Sequence, residues 1–359
     1  MTAGGLPRAR GFALVIVLLV ITVLGLLAGA FAYSMKVETR LAHNANSESE
    51  LEWLGRSGVE LARYVLAESA RQPFTALNQL WAGGPGGPNE TNSLLADISL
   101  ENNHLGSGVF SIKIRDLERK LNINMADKPI LQQALSLMQV DAADAATIVD
   151  SIKDWRDPDD MPEMSGTESD VYLSLNPPYT AKNGPIDDLA ELLLVRGVTP
   201  ELYWGPSAAS HRSQYFQPNT RGRQRQPVLP AYPVGLVDLF TAISAGPINI
   251  NTASASVLQV LVIDANIANS IVAARAGPDG IEGNEDDTPF MNPAMLTSGR
   301  VAGVDPQLLA NYTRFFATIS ATFEVTVDAQ IGQYHKRYVA ILRRQQNARD
   351  IQILQFSWR

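Results

Sequence analysis

The 359-residue sequence contains no cysteine, which excludes a disulfide framework, a thiolate metal site and a cysteine nucleophile. Positive charge is also scarce, because 29 Lys and Arg stand against 37 Asp and Glu and the formal net charge is −8. Nucleic acid is therefore a poor candidate partner, since binding it normally needs excess Lys and Arg to neutralise phosphates. The four histidines are scattered, and the absence of G-x-S-x-G, Walker and H-E-x-x-H patterns leaves little support for catalysis. One basic stretch, Arg212 to Arg225, lacks periodicity and is predicted to be a surface loop.

The sequence does contain one long uncharged segment, from Phe12 to Tyr33. As a helix rising about 1.5 Å per residue, this segment is long enough to cross the hydrocarbon core of a membrane. Arg8 and Arg10 precede it, so the positive-inside rule predicts a cytoplasmic N-terminus and places the rest of the chain across the membrane. A removed signal peptide and a plain anchor are the alternatives, because residues 30–32 give an A-x-A pattern. The apolar run is longer than the h-region of a usual signal peptide, which favours a retained segment.

Helical periodicity continues beyond the membrane segment. Apolar or small residues recur there at steps of three and four, which places them on one face of a helix that runs to about Ser69, before Pro73. From Phe12 to Ser69 such a helix would measure roughly 85 Å at 1.5 Å per residue, far more than a bilayer requires. The residues on this face are Leu51, Leu54, Gly58, Leu61 and Val65.

The rest of the chain predicts an α+β head. Residues Val109 to Arg115 alternate between polar and apolar types, which predicts a strand. Between Leu121 and about Tyr312 the periodicity is helical and is broken by Pro and Gly, which indicates an all-helical domain inserted into the sheet. The strand patterns that return near the C-terminus are expected to complete one antiparallel sheet, and they are Thr318–Asp328, a tight turn at Gln330–Gln333, Arg337–Arg344 and Ile351–Phe356.

Two parts of the insertion look alike. Leu121 to Ala126 reads L-N-I-N-M-A and Ile248 to Ala253 reads I-N-I-N-T-A, each before a helical stretch, which predicts an internal duplication. The second copy also resembles the opening of the DNA-binding helix-hairpin-helix of competence proteins. However, its turn, Ile263 to Ala268, contains an aspartate and lacks the Gly that close approach to a phosphate needs. The alternative is a structural helical pair in which Asn251 or Thr252 caps a helix.

Two loops concentrate carboxylates. The first begins with the segment Asp154-Trp155-Arg156-Asp157 and continues to Asp170, and the second runs from Asp279 to Asp287 among three glycines at residues 277–283. Such oxygen-rich sets suit a hard cation such as Ca²⁺, which takes about six to eight oxygen ligands. Neither loop has the EF-hand spacing, and solvated loops without a metal are the alternative interpretation. The candidate metal ligands are Asp157, Asp159, Asp160, Glu168, Asp170, Asp279, Glu282, Glu285, Asp286 and Asp287.

The N-terminus resembles that of a type IV prepilin. Arg10-Gly11-Phe12 is similar to the cleavage site of that family, in which a short basic leader ends in Gly and Phe begins an apolar helix. The fifth residue of the mature chain is usually Glu, but counting from Phe12 places Ile16 there. Among these families, the type II secretion minor pseudopilin K family, also called general secretion pathway protein K, lacks this Glu and has a large head. The sequence is similar to that family over nearly its whole length.

This resemblance implies cleavage by prepilin peptidase after Gly11, N-methylation of Phe12 and a calcium-binding head with a type IV pilin-like fold. It also implies a single-pass inner-membrane protein with a periplasmic head, at the tip of the pseudopilus and in contact with minor pseudopilins I and J. With Ile16 in place of Glu, the intersubunit charge pair is lost, which suits a subunit that starts a fibre. The expected domains are a leader at 1–11, a transmembrane and stalk helix at 12–70, a pilin-like α+β domain at 71–120 and 313–359, and an inserted helical domain at 121–312. A membrane-anchored enzyme and a DNA-uptake pilus component are the competing functions.

Overall fold

The structure of the protein is a computed structural model that describes residues 10–86, 90, 95, 97–208, 232–261, 264–301, 303–304, 313–345 and 350–358. Most of the predicted leader, the predicted basic loop Arg212 to Arg225, and Ile263 lie outside these residues. The described chain combines a long N-terminal helix, an antiparallel sheet and a mainly helical insertion, so the predicted α+β class is confirmed.

The predicted membrane segment and stalk form one helix, α1, which spans Arg10–Ser69 without a break. Within it, Leu14–Thr39 is long and apolar enough to cross a membrane, and its side chains are exposed. The C-terminal part of α1 instead buries its apolar stripe against the head, where Leu54 and Val65 are at most 3% exposed. One helix therefore combines a segment long and apolar enough to span a membrane with a segment of the head core.

The head contains a five-stranded sheet in the order β1-β2-β7-β8-β9, with every neighbouring pair antiparallel. The strands predicted near both ends of the chain are thus confirmed as one sheet. In chain order the strands are β1 Asn103–Leu105, β2 Gly108–Asp116, β3 Leu121–Asn122, β4 Phe240–Thr241, β5 Ile248–Asn249, β6 Phe316–Ala317, β7 Thr322–Ile331, β8 Tyr334–Arg344 and β9 Ile351–Trp358.

Two glycines allow α1 to lie directly on this sheet. A Cβ atom at Gly58 would come within 2.5 Å of a Val327 methyl group, and one at Gly55 within 2.4 Å of the Tyr338 ring. Contacts this short cannot be accommodated without moving the helix or the strand. The sheet residues beneath α1, such as Ile112 on β2, are buried and form one core with the helix.

The insertion forms a second hydrophobic core and is mainly, though not entirely, helical. The prediction of an all-helical insertion is wrong in one respect. Two short parallel strand pairs are present, in which β3 pairs with β4 and β5 pairs with β6. Gly197, with a φ of +86°, lies in the turn between the 3-10 helix Leu189–Leu194 and the α-helix Pro200–Trp204. The α-helices after α1 are α2 Lys128–Leu137, α3 Ala142–Arg156, α4 Ser169–Leu173, α5 Pro200–Trp204, α6 Leu236–Leu239, α7 Ala255–Val260 and α8 Ala265–Arg275; the 3-10 turns are Leu80–Ala82, Ile123–Met125, Leu189–Leu194, Gly205–Ser207, Pro293–Thr297 and Thr313–Phe315.

The predicted duplication has a counterpart in equivalent hydrogen bonds. The Asn124 side chain donates to the Ile186 carbonyl at 2.9 Å and accepts from the Ile186 N–H at 2.8 Å. Asn251 makes the same pair of bonds with Phe290, at 2.9 and 2.8 Å. A guanidinium also bridges two carbonyls three residues apart in each copy, from Arg156 to Ile123 and Ala126, and from Arg275 to Ile250 and Ala253.

The helix cap predicted at Asn251 or Thr252 is wrong. Helix α7 is capped by Ser254, whose hydroxyl accepts a hydrogen bond from the Val257 N–H at 3.3 Å. Thr252 instead donates its hydroxyl to Asp116 at 2.5 Å, a contact between the insertion and the head. The Thr252 side chain is buried, and this hydrogen bond gives its hydroxyl the partner that a buried polar group needs.

Two buried carboxylates join the head to the insertion. Asp116, at the end of β2, accepts a hydrogen bond from the Ser320 hydroxyl at 2.6 Å. Glu118 accepts from the N–H groups of Ala245 in the insertion and Thr322 at the start of β7, at 2.8 and 2.9 Å. Burial raises the pKa of both carboxyls, and raises that of Glu118 to about 7 with the negative charge of Asp116 as the second cause.

Candidate metal centre

The first acidic loop folds back onto the helix that precedes it. Asp154, in the last turn of α3, is fully buried and accepts hydrogen bonds from the N–H groups of Glu163 and Thr167, at 3.1 and 2.5 Å. Gly166 is required at this point, because a Cβ atom there would lie 1.8 Å from an Asp154 oxygen. These contacts bring the start and the end of the loop at residues 157–168 together.

Three of the predicted ligands meet where the loop closes. Asp157, Asp159 and Glu168 each offer a carboxylate oxygen, and these oxygens lie within 4.8 Å of one another. Glu168 is only 4% exposed, and both of its oxygens are buried with no hydrogen-bond partner in the described chain. One oxygen of Asp157 is buried in the same way. Buried acceptors without donors are costly, so this cluster has the donor set of an oxygen-ligated cation.

The electrostatics of the cluster also favour a bound cation. Burial first, and then the neighbouring charges of Asp154 and Asp157, raise the pKa of Glu168 to about 7. The pKa of Asp157 is also raised, first by burial and then by the charge of Asp159. The adjacent Lys153 offsets this effect at Asp157 only in part, and its ammonium group is paired with Glu163. A divalent cation at the cluster would neutralise the repulsion and favour the charged form of Glu168.

Two other predicted ligands of this loop lie outside the cluster. Asp160 accepts a hydrogen bond from the Asn183 amide at 2.9 Å, and Asp170 accepts from the Val171 N–H at 2.8 Å. Sequence reasoning missed Asn183, whose amide also donates to the Asp159 carbonyl at 3.0 Å and whose Oδ1 is buried without a partner in the described chain. The signal that marks Asn183 is the Asn-Gly pair at 183–184, which favours the left-handed φ of +46° found there.

The second acidic loop has a different arrangement. Its five predicted ligands, Asp279, Glu282, Glu285, Asp286 and Asp287, include no group of three within ligand distance among the residues that the structure describes. Glu282 accepts a hydrogen bond from the Arg275 guanidinium at 2.5 Å, and Asp286 accepts from the Asp279 N–H at 3.3 Å. One oxygen of Asp287 is nevertheless buried without a partner. The prediction of a metal site in this loop therefore has weaker geometric support than in the first.

Comparison with known proteins finds similarity to one family. Residues 111–204, which include helix α3 and the first acidic loop, match the family model described as Type II secretion system (T2SS), protein K. The type II secretion system protein K of Pseudomonas aeruginosa is 24% identical over 353 residues, which cover 93% of this chain and 89% of that protein. The chain is similar to type II secretion system protein K over nearly its whole length. The predicted resemblance to that family is thus confirmed.

Further matches agree with this family and differ in coverage. The type II secretion system protein K of Aeromonas hydrophila is 25% identical over 217 residues, which cover 55% of this chain but 61% of that protein, less than two thirds of its length. The crystal structure of the GspK-GspI-GspJ complex from the type 2 secretion system of enterotoxigenic Escherichia coli matches with a TM-score of 0.64 and 17% identity. That match covers 89% of this chain and 99% of the matched chain, and at this identity it shows a shared fold.

Proposed function

We propose that this chain is a minor pseudopilin of type II secretion, which assembles with other subunits to support protein export and has no catalytic role. The observation that carries the proposal is helix α1, a single element of 60 residues whose Leu14–Thr39 part is apolar and exposed. A membrane anchor alone needs only about 20 residues. The additional turns hold the head at a distance from the membrane, as a pilus stalk requires. Similarity to the protein K family supports the same function.

The proposed function includes processing at Gly11. Prepilin peptidase would cut after Gly11, Phe12 would be the methylated first residue, and the head would face the periplasm from a single inner-membrane span. Sequencing the N-terminus of the mature protein tests this step, and we expect it to begin at Phe12. Gly11→Leu should leave the leader attached. A mature chain that begins at Tyr33 would contradict the proposal.

The proposed place in the fibre is the tip, beside minor pseudopilins I and J. Ile16 supplies no carboxylate within the apolar part of α1, so this subunit lacks the charge pair that would suit repeated addition along a fibre. We expect the full-length chain to co-purify with minor pseudopilins I and J and to label one end of purified fibres. Ile16→Glu should spread the label along them. Even labelling of fibres by the wild-type chain would refute the tip position.

The proposed cofactor is a structural Ca²⁺ ion held by the first acidic loop. Asp157, Asp159 and Glu168 would supply the carboxylate oxygens, and Asn183 lies beside the loop, where its amide donates to the Asp159 carbonyl. Bound Ca²⁺ supplies positive charge and has no role in a reaction. Its effect would be to stabilise the insertion, because the buried acids repel one another without it.

Thermal melting of the full-length protein in detergent tests the cofactor, with calcium, magnesium or a chelator present. A ligand that binds only the folded state stabilises it by about 2.7 kcal/mol at a hundredfold excess over its dissociation constant. Magnesium should substitute poorly, because it prefers a tighter octahedral shell. Asp157→Asn should abolish the calcium response, whereas Asp170→Asn, an exposed acid outside the cluster, should preserve it. Identical melting curves under the three conditions would refute calcium binding.

A further inference from the structure

The face of the head sheet that points away from α1 carries an excess of positive charge. Alternate residues of β2, β7 and β8 lie on this face, because the residues between them, such as Ile112 and Val327, are buried under α1. The face is an open concavity of about 920 Å³. We define the outer sheet face by the charged and titratable residues that alternate outward on these strands, which are Lys113, Arg115, Glu324, Asp328, His335, Arg337 and Arg343. Arg343 lies beyond the lining of the concavity, and Lys336, which pairs with Glu48, lines it as well.

Both acids of the outer sheet face are already paired. Glu324 lies 3.8 Å from the Arg115 guanidinium, and Asp328 accepts a hydrogen bond from Arg337 at 2.7 Å. Lys113 and Arg343 have no ion-pair partner among the described residues. The Arg343 Nε is also buried without a hydrogen-bond acceptor in the described chain. The face therefore has two uncompensated cations, although the whole chain carries a net charge of −8.

The lipid headgroups cannot supply the missing negative charge. Lys113 follows Ile112, which pairs with Val327, and Val327 lies against Gly58 of α1. Gly58 is 19 residues beyond Thr39, the end of the apolar span, which corresponds to roughly 28 Å along the helix. Headgroups extend only about 5 to 8 Å beyond the hydrocarbon core, and the Debye length at physiological salt is about 8 Å. A negatively charged partner for these cations would therefore have to be another molecule at the level of the head.

We propose that the outer sheet face docks an acidic segment of a partner protein. Lys113 and Arg343 are the recognition residues, because their charges are free to pair with incoming carboxylates. A charge-assisted hydrogen bond from either cation to an incoming carboxylate would be stronger than a neutral one. The surrounding pairs, Arg115 with Glu324 and Arg337 with Asp328, would form a polar rim. This surface is separate from the metal cluster and from the apolar part of α1.

The test measures binding of a fluorescein-labelled peptide of alternating Glu and Ser to the full-length protein in phosphatidylcholine nanodiscs. We expect binding that weakens with salt, because exposed charges are screened. Lys113→Glu should weaken it by about tenfold, and Lys113→Gln by less. The matched control is Arg71→Glu, an exposed arginine paired with Glu68 just after α1, which should bind as the wild type does. Circular dichroism melting confirms that each variant is folded.

Three results would overturn the proposal. One is the absence of salt-sensitive binding by the acidic peptide when a Ser-only peptide serves as the baseline. Another is equal weakening by Lys113→Glu and Arg71→Glu, which would indicate a general charge effect. The third is flotation of the nanodisc-bound protein with phosphatidylglycerol vesicles in a Lys113-dependent manner, with no peptide binding, which would identify a lipid surface as the ligand.

Discussion

Replacing Glu118 with glutamine should remove a large part of the pH dependence of stability in the neutral range. Burial raises the pKa of Glu118 from 4.5 to about 7 in the folded protein, helped by the charge of Asp116. In the unfolded chain the carboxyl titrates near 4.5. Between these values the folded state holds a proton that the unfolded state has released, so the free energy of unfolding falls as pH rises. Below this window and above it, Glu118 contributes no slope.

The pKa difference fixes the size of the effect. A shift from 4.5 to about 7 corresponds to about 3 kcal/mol lost across the window, and Glu118 is only 1% exposed, so water screens it little. The charged groups that face it are Asp116 and Arg344, and burial lowers the pKa of Arg344 to about 10, outside the window. Glu118 now accepts hydrogen bonds from two backbone N–H groups. A glutamine would turn its NH₂ group toward one of these donors, and the lost hydrogen bond would lower the free energy of unfolding by about 1 to 3 kcal/mol at every pH. The change in the pH dependence of the free energy of unfolding can therefore be measured separately from the constant loss caused by the substitution.

Urea unfolding of the full-length protein in detergent, repeated across the window, provides the assay. Trp81 is buried against Phe323 in the head and reports on unfolding by fluorescence. Glu324→Gln, at a partly exposed carboxylate of the adjacent strand, is the matched control and should keep the wild-type slope. If Glu118→Gln unfolds with the same pH slope as the wild type, Glu118 does not hold a raised pKa and the reasoning fails.

Three further predictions concern other parts of the molecule. Gly58→Ala should destabilise the head by about 1 to 3 kcal/mol in thermal melting, because the added methyl meets a strand side chain, whereas Gly25→Ala, with no atom within 4 Å, should be neutral. Arg156→Lys should lower the melting temperature of the insertion, since an ammonium cannot bridge two carbonyls with the geometry of a guanidinium. Glu168→Gln should remove the calcium-dependent rise in melting temperature, and Glu282→Gln should retain it, as the same melting experiment would show.

Much of the fold could be predicted because its signals are local. Hydropathy and helical periodicity predict α1, and alternation of apolar and polar residues predicts the main strands. The start of β7 could not be predicted in this way. The expected strand began at Thr318, but β7 begins at Thr322, because Ser320 bonds to Asp116 across 204 positions of sequence. The cap at Ser254 was missed for a similar reason, since Thr252 is drawn into the same contact.

The candidate site was predictable in composition and not in geometry. Acidic residues at the right density indicate where a cation could bind, but they do not reveal which carboxylates face one another. That choice depends on Asp154, a buried side chain that holds the loop through two backbone N–H groups. It also depends on Gly166, which leaves room for this contact. Both residues organise the loop without being predicted as ligands, so a search for ligand spacing passes over them.

The two acidic loops differ because one arginine has an additional partner. Arg156 and Arg275 occupy equivalent positions in the two copies, and each bridges a pair of backbone carbonyls. Arg275 also donates its Nε to Glu282, a predicted ligand of the second loop, whereas the acid that Lys153 neutralises in the first loop is Glu163, which lies outside the cluster. In the first loop the carboxylates of Asp157 and Glu168 keep buried oxygens without donors. A duplicated sequence predicts equal chemistry in both copies, but this one guanidinium contact leaves the first loop with the greater need for an external cation.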